Sequence, residues 1–259
     1  MKTTSSRSNP VTMKPATMGI EPTRRNPRFA LLLNGSNFAC EVLQALQQSN
    51  VCPRLLVLPE YPPATKAVPA GAVLTETLPR SRLLQPGNIE VAYAPRALQV
   101  QCAHLLRQHR IEFILVACWP YLIDKPLLEC ATRAAVNLHP SLLPAYRGPD
   151  PIGAQLSSAE PHPGVSLHLL NAQFDQGDIV AQAELEPGLA DFDRASLERR
   201  CAVLGSELFI SALNGYDAGW NLVPQPSSAG ELQLPLRASA DNPLQAPDKQ
   251  PVRKNSLLK

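Results

Sequence analysis

The sequence predicts an α/β fold: a mostly parallel, twisted sheet with helices on both faces and an antiparallel hairpin toward its C-terminal end. Three observations carry this. Short apolar runs of strand length, Phe29–Leu33, Leu55–Leu58 and Phe113–Ala117, alternate with stretches whose apolar residues recur at helical spacing. Runs that are apolar on both faces suit the interior of a parallel sheet better than a half-solvated one. Two later runs, Leu167–Leu170 and Ile179–Ala183, alternate and follow closely on one another, as paired antiparallel strands do.

Taken in order, residues 1–27 hold Ser, Thr and Pro with Lys2, Arg7, Lys14, Arg24 and Arg25, and Arg28 just beyond, against Glu21 alone. A disordered basic leader, or a start placed upstream of Met13 or Met18, is the expectation. The acid-poor composition also permits an organelle transit peptide, although no amphipathic helix is visible. Phe29–Leu33 runs into Asn34-Gly35-Ser36-Asn37, after which Phe38, Val42, Leu43 and Leu46 keep helical spacing. This is a strand, a tight turn and a helix. The free N–H groups at such a helix start suit an anion, and Gly35 serving the turn with Ser36 or Asn37 as cap explains the same residues.

Leu55–Leu58 reads as a second strand, and the proline-rich stretch 59–87 as a long surface loop. Ile89–Tyr93 is another short strand, and Leu98, Cys102, Leu105 and Leu106 mark a helix that closes near Gln108. Phe113–Ala117 is a buried strand leading into Cys118–Ile123. Asp150–Leu156 reads as a short helix with Asp150 as cap and Pro151 at its first position. Leu197–Leu213 forms the last helix, with Cys201, Leu204 and Leu208 on its buried side. Beyond Trp220 the composition turns to Pro, Gln and Ser, so 223–259 is expected to be a disordered tail.

The chemistry gathers at the end of the run Val136–His139. Side chains two apart on a strand share a side, so Asn137 and His139 look out together, and Pro140 ends the strand. That exit is where an open α/β sheet places its ligand. An amide donor beside an imidazole suits a reaction that builds negative charge on a carbonyl oxygen. A carboxylate would orient the imidazole, and Asp175, in the loop between the paired strands, is the candidate. Singly, these are also a strand-end turn residue, a satisfied histidine and an Asp-x-Gly turn. His168 is read as packing on its strand or meeting a neighbour rather than reacting, and His104, His109 and His162 as surface residues.

A net charge of +2 and a pI near 8.2 argue against a strongly basic nucleic-acid platform. The six cysteines, Cys40, Cys52, Cys102, Cys118, Cys130 and Cys201, show neither C-x-x-C nor zinc spacing, and read as reduced thiols, mostly in the core. No segment approaches the roughly 18–20 apolar residues that span a bilayer. A cytoplasmic protein without a membrane partner is expected.

The string N-x-H-P-S-L-L-P-x-Y-R-G from Asn137 to Gly148, then G-V-S-L-H (164–168) and F-D-Q-G-D-I-V (174–180), resembles the folate-dependent formyltransferase family. The resemblance implies a Rossmann-like formyltransferase domain over 28–222, transferring a formyl group from formyltetrahydrofolate to a primary amine, with no metal. Asn137, His139 and Asp175 stand at the family's catalytic positions. Trp119, Leu122 and Ile123 match the loop that wraps the pterin, where Cys118 replaces a common glycine and Pro120 lacks an N–H to donate. Gly35, Ser36 and Asn37 resemble the phosphate-holding turn of the purine branch, and with Arg147 they are the expected acceptor contacts.

Initiator methionyl-tRNA is the first acceptor expected and a sugar amine the second. Glycinamide ribonucleotide, a hydrolase that uses water, and a silent folate-binding protein are the alternatives. The loop 59–87, which touches tRNA in methionyl-tRNA formyltransferases, holds only Lys66 before Arg80 and Arg82, and no room is seen for their C-terminal β-barrel.

Overall fold

Five consecutive apolar side chains make β1 (Phe29–Leu33), and all are buried, so the strand has to be covered on both faces. It lies in the middle of the sheet, parallel to β2 (Leu55–Leu58) on one side and to β5 (Phe113–Ala117) on the other. The computed structural model describes residues 27–59, 74–78, 89–159, 162–185 and 193–226. The expected basic leader up to residue 26, most of the loop 59–87 and the chain beyond 226 lie outside the described residues.

The sheet has eight strands in the order β3-β4-β2-β1-β5-β6-β7-β8. β4 (Ile89–Tyr93) is parallel to β2, and β6 (Ala134–His139) is parallel to β5. β7 (Gly164–Leu169) then runs antiparallel to β6, and β8 (Ile179–Glu184) antiparallel to β7. The fold class expected from the sequence is the one observed.

Several details differ. The stretch expected to be surface loop contains β3 (Leu74–Leu78), an edge strand antiparallel to β4, so the first half of the sheet is not wholly parallel. Its Leu-Thr-Glu-Thr-Leu sequence alternates and carries two β-branched residues, which suits an edge, but prolines around it hide the pattern. β7 starts at Gly164 rather than Leu167. At the other end, Val223 bridges Ile179 with hydrogen bonds of 2.8 and 3.0 Å, so ordered chain continues past the boundary expected at 222.

The period-2 alternation along each strand separates two cores. α1 (Asn37–Gln48) and α5 (Arg194–Gly215) pack on one face, over Phe29, Leu31, Leu115, Val136, Leu138 and Leu167. Phe29 meets Phe209 of α5 edge to face at 5.2 Å between ring centroids, a contact worth about 0.5–1.5 kcal/mol beyond its buried area. α2 (Gln99–Gln108) and the short α3 (Lys125–Leu128) cover the other face, over Leu32, Val57, Ile114 and Val116. Ser36 caps α1, Asp150 caps α4 (Pro151–Leu156) and Asp193 caps α5, each accepting from a backbone N–H three residues on. Asp193 starts α5 three residues before the position expected from its apolar periodicity.

Of the cysteines expected mostly in the core, Cys102, Cys130 and Cys201 are buried, Cys118 is half-buried, and Cys40 and Cys52 are exposed. Both exposed thiols lie at the margins of α1 and β2, where helical and strand spacing leaves a position outside the packed face. His104 and His162 are exposed as expected, whereas His109 is half-buried and faces Glu90 at 3.5 Å.

Candidate active site

On the α2/α3 face of the sheet Ala135 of β6 packs against that core, and Asn137 and His139, two and four residues on, share its face nearer the strand's exit. Val136 and Leu138, which alternate with them, point to the opposite core, and Leu138 is fixed there by a close approach of α5: a Cβ at Gly205 would lie 2.6 Å from a Leu138 methyl. Across the strand boundary Asn137 pairs with His168 and His139 with Ser166. The β7–β8 register slips after Leu167, which pairs with Ala181 while His168 pairs with Ile179. Bulges of this kind re-aim side chains and collect beside active sites.

Asp175 reaches the pair from the β7–β8 loop. Its Oδ1 lies 3.4 Å from His139 Nδ1, 3.5 Å from Asn137 Nδ2 and 3.8 Å from His168 Nε2, and its Oδ2 accepts from Gly148 N at 3.1 Å. All three expected catalytic residues are therefore in one cluster. Asp175 takes a left-handed φ of 54°, which aspartate tolerates better than most residues. Gly177 follows because a Cβ there would run into the Leu169 carbonyl.

Hydrogen-bond roles fix the protonation pattern. The backbone carbonyl of Leu169 can only accept, so His168 Nδ1, 2.9 Å away, carries the proton and donates to it. Burial and the neighbouring charge of His139 hold His168 down at about 4, so it is neutral and its Nε2 is a bare acceptor. Asn137 must then turn its amide nitrogen, 3.0 Å away, toward that acceptor. His168 sets which way the Asn137 amide faces.

His139 is in the opposite state. It is 4% exposed, and its Nε2 donates to the Tyr146 carbonyl at 3.0 Å while Nδ1 faces Asp175. Both nitrogens meet acceptors, which only the imidazolium satisfies. Burial disfavours that cation, but the Asp175 charge and hydrogen bond and the Tyr146 carbonyl outweigh it and hold His139 above its ordinary value. Burial likewise opposes the Asp175 carboxylate, yet His139 and the Gly148 N–H bring it down to about 2. The site holds an ion pair beside an oriented amide.

The other expected positions divide. Trp119 and Ile123 are largely buried beside the core between the sheet and α2, with Tyr121 against Trp119 at 6.0 Å, and the Trp119 indole N–H has no hydrogen-bond partner among the described residues. Leu122 is exposed on the loop after β5, and Phe174 is exposed on the loop bearing Asp175. Gly35 turns the chain with φ of 77°, Ser36 is the α1 cap, and Asn37 is exposed at the helix's first position. Ser36 also hydrogen-bonds the Cys118 thiol, which burial pushes up to about 11. Arg147, expected as an acceptor contact, donates from Nε to the Asp175 carbonyl at 3.1 Å and from Nη2 to Gln225 Oε1 at 2.6 Å.

Two contributors, Gln99 and Gln225, went unread in the sequence, and a third, His168, was read without its role in orienting Asn137. His168 had a visible signal, being two residues from Ser166 on a strand paired with β6. Gln99 and Gln225 had none, because each acts on backbone groups distant in sequence: Gln99 donates to Leu122 O at 3.0 Å and accepts from Asp124 N at 2.8 Å, clasping the loop after β5. A hollow of about 600 Å³ lined by Arg28, Arg54, Gln108, His109 and Arg110 lies at the opposite ends of the strands from this cluster.

A parallel-centred α/β sheet with an amide, an imidazolium and a carboxylate at its strand exits defines a group-transfer enzyme domain of Rossmann-like architecture. The chain belongs to the formyl transferase family, whose sequence model matches residues 28–213. It is similar to the methionyl-tRNA formyltransferases of Ehrlichia chaffeensis (31% identical, covering 62% of this chain and 52% of that protein) and Anaeromyxobacter dehalogenans (30%, covering 76% and 61%). The chain spans about half to three-fifths of the length of these relatives. Its fold is similar to a glycinamide ribonucleotide transformylase from Symbiobacterium toebii (TM-score 0.57, 18% identical, covering 82% of this chain and 100% of that one). HypX from Aquifex aeolicus, in complex with tetrahydrofolic acid, shares the fold over 78% of this chain and 29% of its own (TM-score 0.52, 17% identical). Among the described residues, no helix is long and apolar enough to cross a membrane and no acid, histidine or cysteine group is arranged to hold a metal ion.

Proposed function

We propose that this protein transfers a formyl group from formyltetrahydrofolate to a primary amine, with methionyl-tRNA as the acceptor. The observation that carries the transfer is the Asn137–His139–Asp175 cluster, with the amide direction fixed by His168 and the charge of His139 fixed by Asp175. The acceptor rests on the curated relatives at about 30% identity, all methionyl-tRNA formyltransferases.

A folate donor suits this site because the loops bounding the cluster each carry an exposed apolar side chain, Leu122 and Phe174, of the kind that covers a planar ring system. The donor supplies an activated formyl carbon. One Asn137 N–H goes to His168 and the other faces Asp175 Oδ1 at a long 3.5 Å, a contact it can exchange for the formyl oxygen as negative charge gathers there, and the His139 cation beside it lowers the cost of that charge. Both N–H groups of His139 are engaged by Tyr146 and Asp175, so in this arrangement its contribution is its charge. Ionised Asp175 relays the proton that the attacking nitrogen loses and the departing nitrogen gains. The new carbon–nitrogen bond forms as the old one breaks, and no electrons are exchanged with a redox partner.

The test is incubation of purified protein with formyltetrahydrofolate and charged initiator methionyl-tRNA, an amino sugar nucleotide or glycinamide ribonucleotide, reading tetrahydrofolate release and acceptor mass. Formylation of methionyl-tRNA well above the other acceptors is expected. Release of formate without an amine would point to hydrolysis instead. A folded protein whose melting temperature ignores a saturating stable folate analogue would remove the donor from the proposal.

A further inference from the structure

The catalytic carboxylate sits on the loop between β7 and β8, and the backbone there is held by residues from elsewhere in the chain. Gln225 lies beyond α5, in the segment that returns to the sheet through the Val223–Ile179 bridge. Its Nε2 lies 3.1 Å from the Asp175 carbonyl and 2.7 Å from the Gly177 carbonyl, while its Oε1 lies 2.6 Å from Arg147 Nη2. One amide orientation alone satisfies all three, since carbonyls only accept and a guanidinium only donates. Arg147 Nε meets the same Asp175 carbonyl at 3.1 Å. Arg147 and Gln225 therefore close a ring of hydrogen bonds around the residue whose φ is 54°.

We propose that Gln225 is a positioning residue, which with Arg147 locks the left-handed backbone of Asp175 and so keeps the carboxylate against His139. The inference rests on the formyl transfer reading for its catalytic consequence, and on geometry alone for its effect on His139. A left-handed backbone at a residue other than glycine persists only where its surroundings over-determine it. Without the clamp the loop relaxes, Oδ1 leaves His139, and the imidazolium loses the partner that keeps it charged. Gln225 is half-buried at the rim, so its loss leaves both cores intact.

The experiment compares Gln225→Ala and Gln225→Glu in the full chain. Glutamate keeps the length and can accept from Arg147, but it turns an acceptor toward two carbonyls, so it should be at least as damaging as alanine. Thermal unfolding shows that each variant is folded. NMR titration of the His139 ring then reads the clamp directly, and it needs no substrate. The charged groups facing His139 are Asp175 and Arg147, with neutral His168 alongside; Arg147 also loses its Gln225 partner, but the Asp175 charge is the stronger influence on His139 and sets the sign. In Gln225→Ala, which adds no charge, the His139 midpoint is expected to fall relative to the parent; in Gln225→Glu the added carboxylate offsets part of that fall. Under the formyl transfer reading, kcat falls by roughly 10- to 100-fold, the scale of a displaced catalytic group, while donor KM changes less than threefold.

An unchanged His139 midpoint with kcat within twofold of the parent would overturn the inference. A shifted midpoint in a protein that formylates nothing would retain Gln225 as the positioning residue and overturn the functional reading instead.

Discussion

Replacing Asp175 by Asn removes the charge that His139 was built around while keeping the shape of the side chain. The amide oxygen can still accept from Gly148 N, and its nitrogen then faces His139 Nδ1, which satisfies a neutral ring that donates from Nε2 to Tyr146. His139 should therefore lose its proton, because burial disfavours the cation and nothing now opposes it. A carboxyl held at about 2 rather than 3.8 is favoured as the anion by roughly 2 kcal/mol, and the raised His139 value reports the same interaction, so it is counted once.

The pH dependence follows from the two directions. Asp175 is depressed, so its contribution is complete above the ordinary 3.8 and is lost as pH falls through about 2. His139 is raised, so its share is complete below the ordinary 6.5 and is lost as pH rises through the folded value. The parent should thus exceed Asp175→Asn by about 2 kcal/mol between those ordinary values, or roughly 4–8 °C in melting temperature for a domain this size. Urea unfolding of both proteins from pH 2 to 9 measures the difference, which should be a plateau falling at both ends. A difference that stays constant across this range, or that peaks at either extreme, would refute the ion pair.

Other outcomes follow from the same geometry. Asn137→Ala should lower kcat by roughly 10²–10³-fold with donor affinity nearly unchanged, read by steady-state kinetics beside equilibrium titration of a folate analogue. Gly205→Ala brings a Cβ to 2.6 Å from a Leu138 methyl, so the helix and the catalytic strand must separate slightly. A loss of about 1–3 kcal/mol is expected in denaturant unfolding, and an unchanged midpoint would mean Leu138 repacks freely. Gln99→Ala releases the backbone of Leu122 and Asp124, so donor KM should rise several-fold while kcat moves little, as read from donor saturation curves.

Much of the fold was legible because β1, β2 and β5 are continuously apolar while α1 and α5 keep helical spacing. The catalytic cluster was legible for a different reason: Asn137 and His139 share a face by alternation, Pro140 fixes the strand end, and the family blocks point to Asp175. β3 was hidden because five residues among prolines carry too little pattern to outweigh their surroundings. The Trp119 and Ile123 side chains are assigned to a ligand on position and type, and their burial beside α2 and α3 is a packing relation that position and type do not reveal. His168, Gln99 and Gln225 act through partners 23 to 78 residues away, contacts that only the folded chain creates.

The return of the chain at Val223 also bears on how the molecule behaves in company. β8 is the last strand of the sheet, and an edge strand offers a row of free N–H and C=O groups to any other extended chain. Val223 occupies that edge at Ile179, where β8 leaves the catalytic loop, with one donor and one acceptor bond. The segment that braces the loop is therefore also a guard against strand addition by a second molecule. A chain cut before residue 221 would bare the whole of β8, and self-association in concentrated solution would follow from the same loss that unfastens Asp175.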